Sequence, residues 1–318
     1  MKKITKSIIF TLFILTSCMM LPAENIVSKD YYSTENIDTI SVDLTYENIE
    51  IKTTNGSEIL VEIASNYSKK IPEVCIEENK LLIKTTSNKK WYTGNICTVY
   101  VYLPTDFFPK VSTIQVTSGE VFIDNLETDE LTVGSASGDI KVLFTNAKDK
   151  IALSAASGEI EFATGKTTKF SSKTASGDIL IKQLTSNEIL CDTNSGEITT
   201  QEIECEYLSC ETTSGDIDCS KTICQYFDIK AVSGSVDLEL DNQIEAESSI
   251  KTTSGSVDLV VPEDMNFEII ANSSSGKFED DINGRTYSPR DNFESKYNEG
   301  GITILIDTTS GSIELESN

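Results

Sequence analysis

From Ile114 onward the chain alternates apolar and polar residues in short runs, and each run restarts at a Ser-Gly dipeptide. The dipeptide glycines are Gly119, Gly138, Gly158, Gly177, Gly196, Gly215, Gly234, Gly255, Gly276 and Gly311, at successive spacings of 19, 20, 19, 19, 19, 19, 21, 21 and 35. Seven residues before the glycine stand Leu131, Ile151, Phe170, Ile189, Leu208 and Phe227; five before it stand Val133, Leu153, Cys191, Cys210 and Ile229. Two residues after it come Val121, Ile140, Ile160, Ile179, Ile198 and Ile217; four after it come Ile123, Val142, Phe162, Ile181, Cys219 and Leu238. Apolar side chains at every second position mark strands with one buried face, since successive Cβ atoms of a strand point to opposite sides. The three- and four-residue apolar steps of a helix are missing.

A fixed period near 20 residues is the signature of a solenoid, in which a unit buries its apolar face only by stacking on its neighbours. The inward offsets are odd before the glycine and even after it, so one residue has to be absorbed at the corner. Glycine is suited to that, because it reaches positive φ without a Cβ clash. The residue three before the glycine is small in each unit (Ser135, Ala155, Thr174, Thr193, Thr212, Thr252), as a tight inner corner requires. Each unit is therefore expected to run strand, Ser-Gly corner, strand, polar return. The predicted fold is all-β: a parallel β-solenoid (β-helix-like) of about ten 19–21-residue repeats with an N-terminal β cap. With coils roughly 4.8 Å apart, nine steps span about 40–45 Å.

The remaining segments follow from the same pattern. Residues 1–23 have the form of a signal peptide, with Lys2, Lys3 and Lys6 before the apolar run Ile8–Leu15. That run is shorter than the roughly 20 residues of a membrane-spanning helix. Leu15-Thr16-Ser17-Cys18 resembles a bacterial lipobox, with cleavage before Cys18 and lipid on its thiol, and ordinary cleavage after Ala23 is the alternative. Residues 24–37 are polar and expected to be a tether. Residues 38–110 alternate without the Ser-Gly word, and an open solenoid end exposes apolar side chains and unpaired strand edges. They are expected to form the N-terminal cap module, in an antiparallel or sandwich-like arrangement, with turns at Asn55-Gly56 and Glu78-Asn79. Trp91 and Tyr92 are expected to pack in it. Residues 111–318 then carry the repeats, with an inserted loop at 280–301. That loop holds Arg285, Tyr287, Arg290, Phe293 and Tyr297, and two readings are open: a hairpin covering the last coils, or a binding loop on a rigid scaffold.

Composition narrows the chemistry. The chain has 318 residues, 51 acidic against 26 basic and no histidine, for a formal net charge of −25. Such a surface repels phosphate backbones, so no nucleic-acid partner is expected. Eight cysteines are present. Cys191 and Cys210, and Cys205 and Cys224, are each 19 apart and so occupy equivalent places on adjacent coils, within disulfide reach. At inward offsets free cysteine serves as a small hydrophobe, which favours stacked thiols for Cys191–Cys210 and a disulfide for Cys205–Cys224. Cys75–Cys97 is a further possible staple. Without histidine or a Cys-x-x-Cys pair, no metal site is expected from the cysteines. Glu120, Asp139, Glu159, Asp178, Glu197 and Asp216 form a column one residue after the glycine. Their repulsion, roughly 1 kcal/mol per neighbouring pair in water, is relieved by solvent, by backbone N–H groups or by a cation. Ser235, Ser256, Lys277 and Ser312 interrupt the column, so a metal is not obligatory.

The recurring unit Ala175-Ser-Gly-Asp-Ile-Leu-Ile181, the strand ending Tyr102-Leu-Pro104, and the run Gly300-Gly-Ile-Thr-Ile-Leu-Ile306 leading to Thr309-Ser-Gly-Ser-Ile313 resemble the bacterial β-strand-repeat family of putative adhesins, a domain of unknown function. The resemblance covers about residues 38–318 and implies an extracytoplasmic β-solenoid without known catalysis. The expectation is a non-catalytic envelope or surface protein, an adhesin or binding scaffold with no cofactor. Its partner would be a protein or glycan ligand, and a lipid anchor would place it at the outer membrane or cell surface, with a periplasmic or secreted location as the alternative. An enzyme acting on polysaccharide is one rival, although catalysis would break the even spacing of the carboxylates at one coil. An envelope-stress or assembly accessory is the other.

Overall fold

A computed structural model describes residues 25–67, 71–86, 95–288 and 293–318. Cys18, Trp91, Tyr92 and Arg290 lie outside them. The described elements are all strands, joined into one sheet that winds around a single apolar interior.

The columns anticipated from the offsets are register partners. Leu131 pairs with Ile151, Ile151 with Phe170, Phe170 with Ile189, Ile189 with Leu208 and Leu208 with Phe227, all in parallel. After the corner, Val121 leads through Ile140, Ile160, Ile179, Ile198, Ile217, Val236 and Val257 to Ile313. All of these side chains are buried. A third column on the returns adds Leu184 and Ile203, with Cys205 and Cys224 next to them. The fold is thus all-β and solenoid-like, held by shared aliphatic columns and continuous parallel ladders.

The corners work differently from the expectation. None of the Ser-Gly glycines has positive φ; among the described glycines only Gly284, Gly300 and Gly301 do. What excludes a side chain is close approach between coils. A Cβ on Gly215 would lie 1.9 Å from the carbonyl oxygen of Gly196, and one on Gly255 would lie 1.8 Å from that of Gly234. The small residue three before the glycine has its own role. Thr193 Oγ1 donates to Gly177 O at 3.2 Å, Thr212 Oγ1 to Gly196 O at 3.2 Å, and Thr252 Oγ1 to Gly234 O at 3.2 Å. A hydroxyl ladder therefore runs beside the stacked glycines.

The N-terminal residues extend this stack in parallel before antiparallel strands appear. Thr39–Leu44 pairs in parallel with Val111–Val116, and Asn48–Thr54 with Val121–Ile123. Lys80–Lys84 and Cys97–Pro104 add the next parallel layer. Only outside them do antiparallel strands appear: Glu73–Glu77 on Lys80–Lys84, and Glu58–Ser65 on Cys97–Pro104. Glu78, in the turn before Lys80, has φ +55°. The expected polar tether is corrected: Asn25–Ser33 is a strand, antiparallel to Glu58–Ser65, whose outer edge it pairs.

The C-terminal coils are stacked out of chain order. Ile302–Thr308 lies between Ser248–Thr252 and Phe267–Ser273, and Ile313–Ser317 lies between Val257–Val261 and Phe278–Asp280. The corner glycines follow suit, Gly311 packing on Gly255 and Gly276 on Gly311. The inserted loop explains the exchange. Arg285–Tyr287 runs back along Phe278–Asp280 and Phe293–Tyr297 along Phe267–Ser273, both antiparallel, after which the chain re-enters on the inner side.

Cys75, Cys191, Cys205, Cys210, Cys219 and Cys224 are free thiols, in place of the Cys205–Cys224 and Cys75–Cys97 disulfides that their separations allowed. Cys205 and Cys224 are register partners with both side chains turned inward. Cys75 and Cys97 sit on strands that do not pair with each other.

Candidate functional site

Chemistry-bearing side chains fall into four places on this scaffold. The first is the corner column. Asp139 Oδ1 accepts the Glu159 N–H at 2.9 Å, Asp178 Oδ1 the Glu197 N–H at 2.9 Å, and Asp216 Oδ1 the Ser235 N–H at 2.8 Å. Asn48 Oδ1 takes the Glu120 N–H at 3.0 Å in the coil that lacks a Ser-Gly word. These side chains knit one coil to the next, so of the three ways to relieve the column the backbone N–H groups are in use. Glu47 completes that first corner. It is 1% exposed, and its carboxylate accepts the Thr45 and Tyr46 N–H groups at 3.0 Å and the Thr85 hydroxyl at 2.8 Å. No repeat marks Glu47 in the sequence; its only signal was an acidic residue where the next coils have Ser-Gly.

The second place is the outer face after the corner. Towards the N-terminal side Glu161 lies between Lys141 and Lys182, each 2.5 Å away, and their hydrogen bonds hold its carboxyl below the usual range. Towards the C-terminal side compensation thins, Lys277 reaching only Glu279 at 3.8 Å. Asp218, Asp237, Asp258, Glu314 and Glu279 are register partners on successive strands. Burial, then the charge of Asp237, pushes the Asp258 carboxyl up to about 6. Asp281, Glu314 and Glu316 bring carboxylate oxygens within 4.8 Å of one another beside it.

The third is the loop singled out as a candidate binding element. Phe293 stacks on Phe278 at 4.0 Å between ring centres, Tyr297 stacks on Phe267 at 4.6 Å, and Tyr287 contacts Phe293 at 4.5 Å. Phe293 and Tyr297 are buried, Tyr287 is half-buried and Arg285 is exposed. The aromatic residues thus cover the last coils, the first of the two readings, and do not converge on an open site.

The fourth comprises open grooves on the outside of the column. One of about 550 Å³ runs past Gly134, Ser154 and Ala156, where small outward residues follow one another. Another of about 510 Å³ runs along the returns from Phe108 to Asn187. The interior thiols offer no comparable chemistry. Burial pushes the Cys224 thiol up to about 12 and raises Cys205 further, so neither is a thiolate at neutral pH.

A family model described as Toastrack DUF4097 matches residues 37–149 and 142–316. The fold is similar to that of a putative adhesin from Parabacteroides merdae, at 13% identity over 91% of this chain and 95% of that one, with a TM-score of 0.49. It is also similar to a putative lipid binding protein from Parabacteroides distasonis, at 13% identity over 90% and 96%, TM-score 0.49. A putative adhesin from Bacteroides fragilis shares 11% identity over 92% and 98%, TM-score 0.42. No curated protein matches the chain. Among the described residues, no helix is long and apolar enough to cross a membrane.

Proposed function

The chain belongs to the Toastrack DUF4097 family, and on that premise we propose that it is a non-catalytic, exported surface protein whose rigid β-solenoid presents binding faces to the outside, as an adhesin or binding scaffold. The observation that carries this reading is the regularity of the column. The parallel coils stack with their inward columns in register, and their titratable outward side chains are spread along the stack instead of gathered in one cluster. A catalytic centre needs different groups converging on one atom. Polar side chains spread along the whole stack suit an extended partner. In this reading residues 1–23 direct export, with cleavage before Cys18 and a lipid on that cysteine holding the protein at the cell envelope. Residues 111–318 supply about ten coils of 19–21 residues, and residues 38–110 close the N-terminal end.

The test is fractionation with surface proteolysis of intact cells expressing the full chain and its Cys18→Ser variant. The wild type is expected in the membrane fraction and accessible to added protease, and the variant in the soluble extracytoplasmic fraction. Retention of the wild type in the cytoplasm would overturn the reading. Membrane retention of the variant would remove the lipid anchor from it.

A further inference from the structure

We propose that the groove along the coil returns binds an extended, uncharged polysaccharide, an inference that rests on the surface-scaffold reading and names its ligand class. The groove measures about 510 Å³ and is open along the stack axis. Two rows of outward side chains line it. In the first, Glu127, Asn146 and Lys166 are register partners on successive strands. In the second, Lys148, Thr168 and Asn187 follow one another, Thr168 Oγ1 donating to Lys148 O at 2.8 Å and the Asn187 N–H to Thr168 O at 3.1 Å. Asp129 precedes Lys148 in that row. Phe108 stands at one end with 58% of its surface exposed.

Three features select the ligand. Phe108 offers an apolar platform of the kind that takes the C–H face of a sugar ring, and amide and carboxylate groups beside it take hydroxyls as donors or acceptors. Among the described residues the side-chain amides of Asn146 and Asn187 make no hydrogen bond, and Glu127, Asp129, Lys148 and Lys166 form no ion pair. These groups are therefore available to a ligand. Two carboxylates and two ammonium groups cancel locally, and the surrounding charge of −25 repels a polyanion, so the favoured polymer is neutral. The rows repeat at the strand spacing, about 4.8 Å. A linear polymer laid along the axis meets the same pair of rows at each coil, whereas a compact ligand would use only one. An extended peptide is disfavoured, because the backbone groups of these strands are already paired in the ladder and leave no edge to augment.

Isothermal titration of the full chain with cellohexaose, chitohexaose, xylohexaose and mannohexaose, with hexagalacturonate as the charged comparison, tests this. At least one neutral hexasaccharide is expected to bind. Phe108→Ala is expected to weaken it about tenfold without shifting the melting temperature, as loss of one aromatic contact would. The double change Asn146→Ala, Asn187→Ala should act in the same direction, and Val232→Ala, on another face, should leave affinity unchanged. No binding by any neutral hexasaccharide, preference for hexagalacturonate, or affinity indifferent to the groove variants would each overturn the assignment. Because surface location is read separately by fractionation, failure of the groove with location intact would leave the scaffold reading standing.

Discussion

At the scale of single residues, the Ser-Gly corner is governed by the distance between coils. Gly215→Ala places a methyl 1.9 Å from the Gly196 carbonyl oxygen, backbone that cannot step aside without disturbing the coil below. Overpacking of this kind costs about 1–3 kcal/mol, and thermal unfolding is expected to show the full chain destabilised by that order. An unchanged melting temperature would mean that the coils are not so closely stacked. The position of each corner glycine was legible from the period, but its reason was not: a repeat announces that glycine is required without saying whether a dihedral angle or a neighbour requires it. The threonine hydroxyls that reach the adjacent glycine carbonyls were likewise legible only as small residues. Glu47 escaped notice because it does the corner's work once, with a side chain no other coil uses.

At the scale of strands, charge divides the outer face. Where lysines alternate with glutamates, as around Glu161, neighbouring strands attract one another. From Asp218 to Glu279 the register instead superimposes carboxylates. The Asp258 carboxyl, pushed up to about 6 against an ordinary 3.8, binds a proton more readily in the folded than in the unfolded chain. Between those two values the folded state holds more protons, so its contribution to stability falls as pH rises and is recovered on acidification. Asp237→Asn removes the nearest like charge and is expected to raise the melting temperature at pH 7.5 more than at pH 5. Equal shifts at both values would show that the ladder does not titrate as a coupled set. Glu161 and Asp228, whose pKa values are lowered, act in the opposite sense and lose their contribution only in stronger acid. The acidic positions were readable in the sequence, but the column beside the glycines drew attention first. That column spends its Asp oxygens on backbone N–H groups, and the crowded carboxylates stand two residues further along.

At the scale of the whole molecule, a solenoid is as stable as its ends allow, since each interior coil is protected on both sides and a terminal one on only one. At the N-terminal side Glu58–Ser65 and Glu73–Glu77 add antiparallel strands and Asn25–Ser33 pairs with the first of them, and at the C-terminal side Phe293 and Tyr297 stack on the last coils. Phe293→Ala removes a buried ring stacked on Phe278, a change that costs about 3–5 kcal/mol in a packed core. Hydrogen exchange is expected to quicken in Phe267–Ser273 and Phe278–Asp280 while the coils around Gly177 and Gly196 keep their protection. Uniform acceleration along the column would argue that it opens as one unit. The stacking architecture was legible because every coil repeats the same offsets. The ends were legible only as segments without the repeat, because a cover is used once and leaves no period, and the aromatic residues of the inserted loop read equally as packing or as a binding surface.

The exchanged order of the last two coils sets a sequence of events for folding. From Val111 to Gly255 a chain delivered from its N-terminus can lay each coil on the previous one as it emerges. The coil around Gly276 arrives next but has no permanent seat, because the layer it rests on is made of Ile302–Thr308 and Ile313–Ser317, which emerge after it. It must wait, or dock provisionally and move aside, until those residues slide underneath. The final turn of the solenoid is thus closed only after Ile313–Ser317 has emerged.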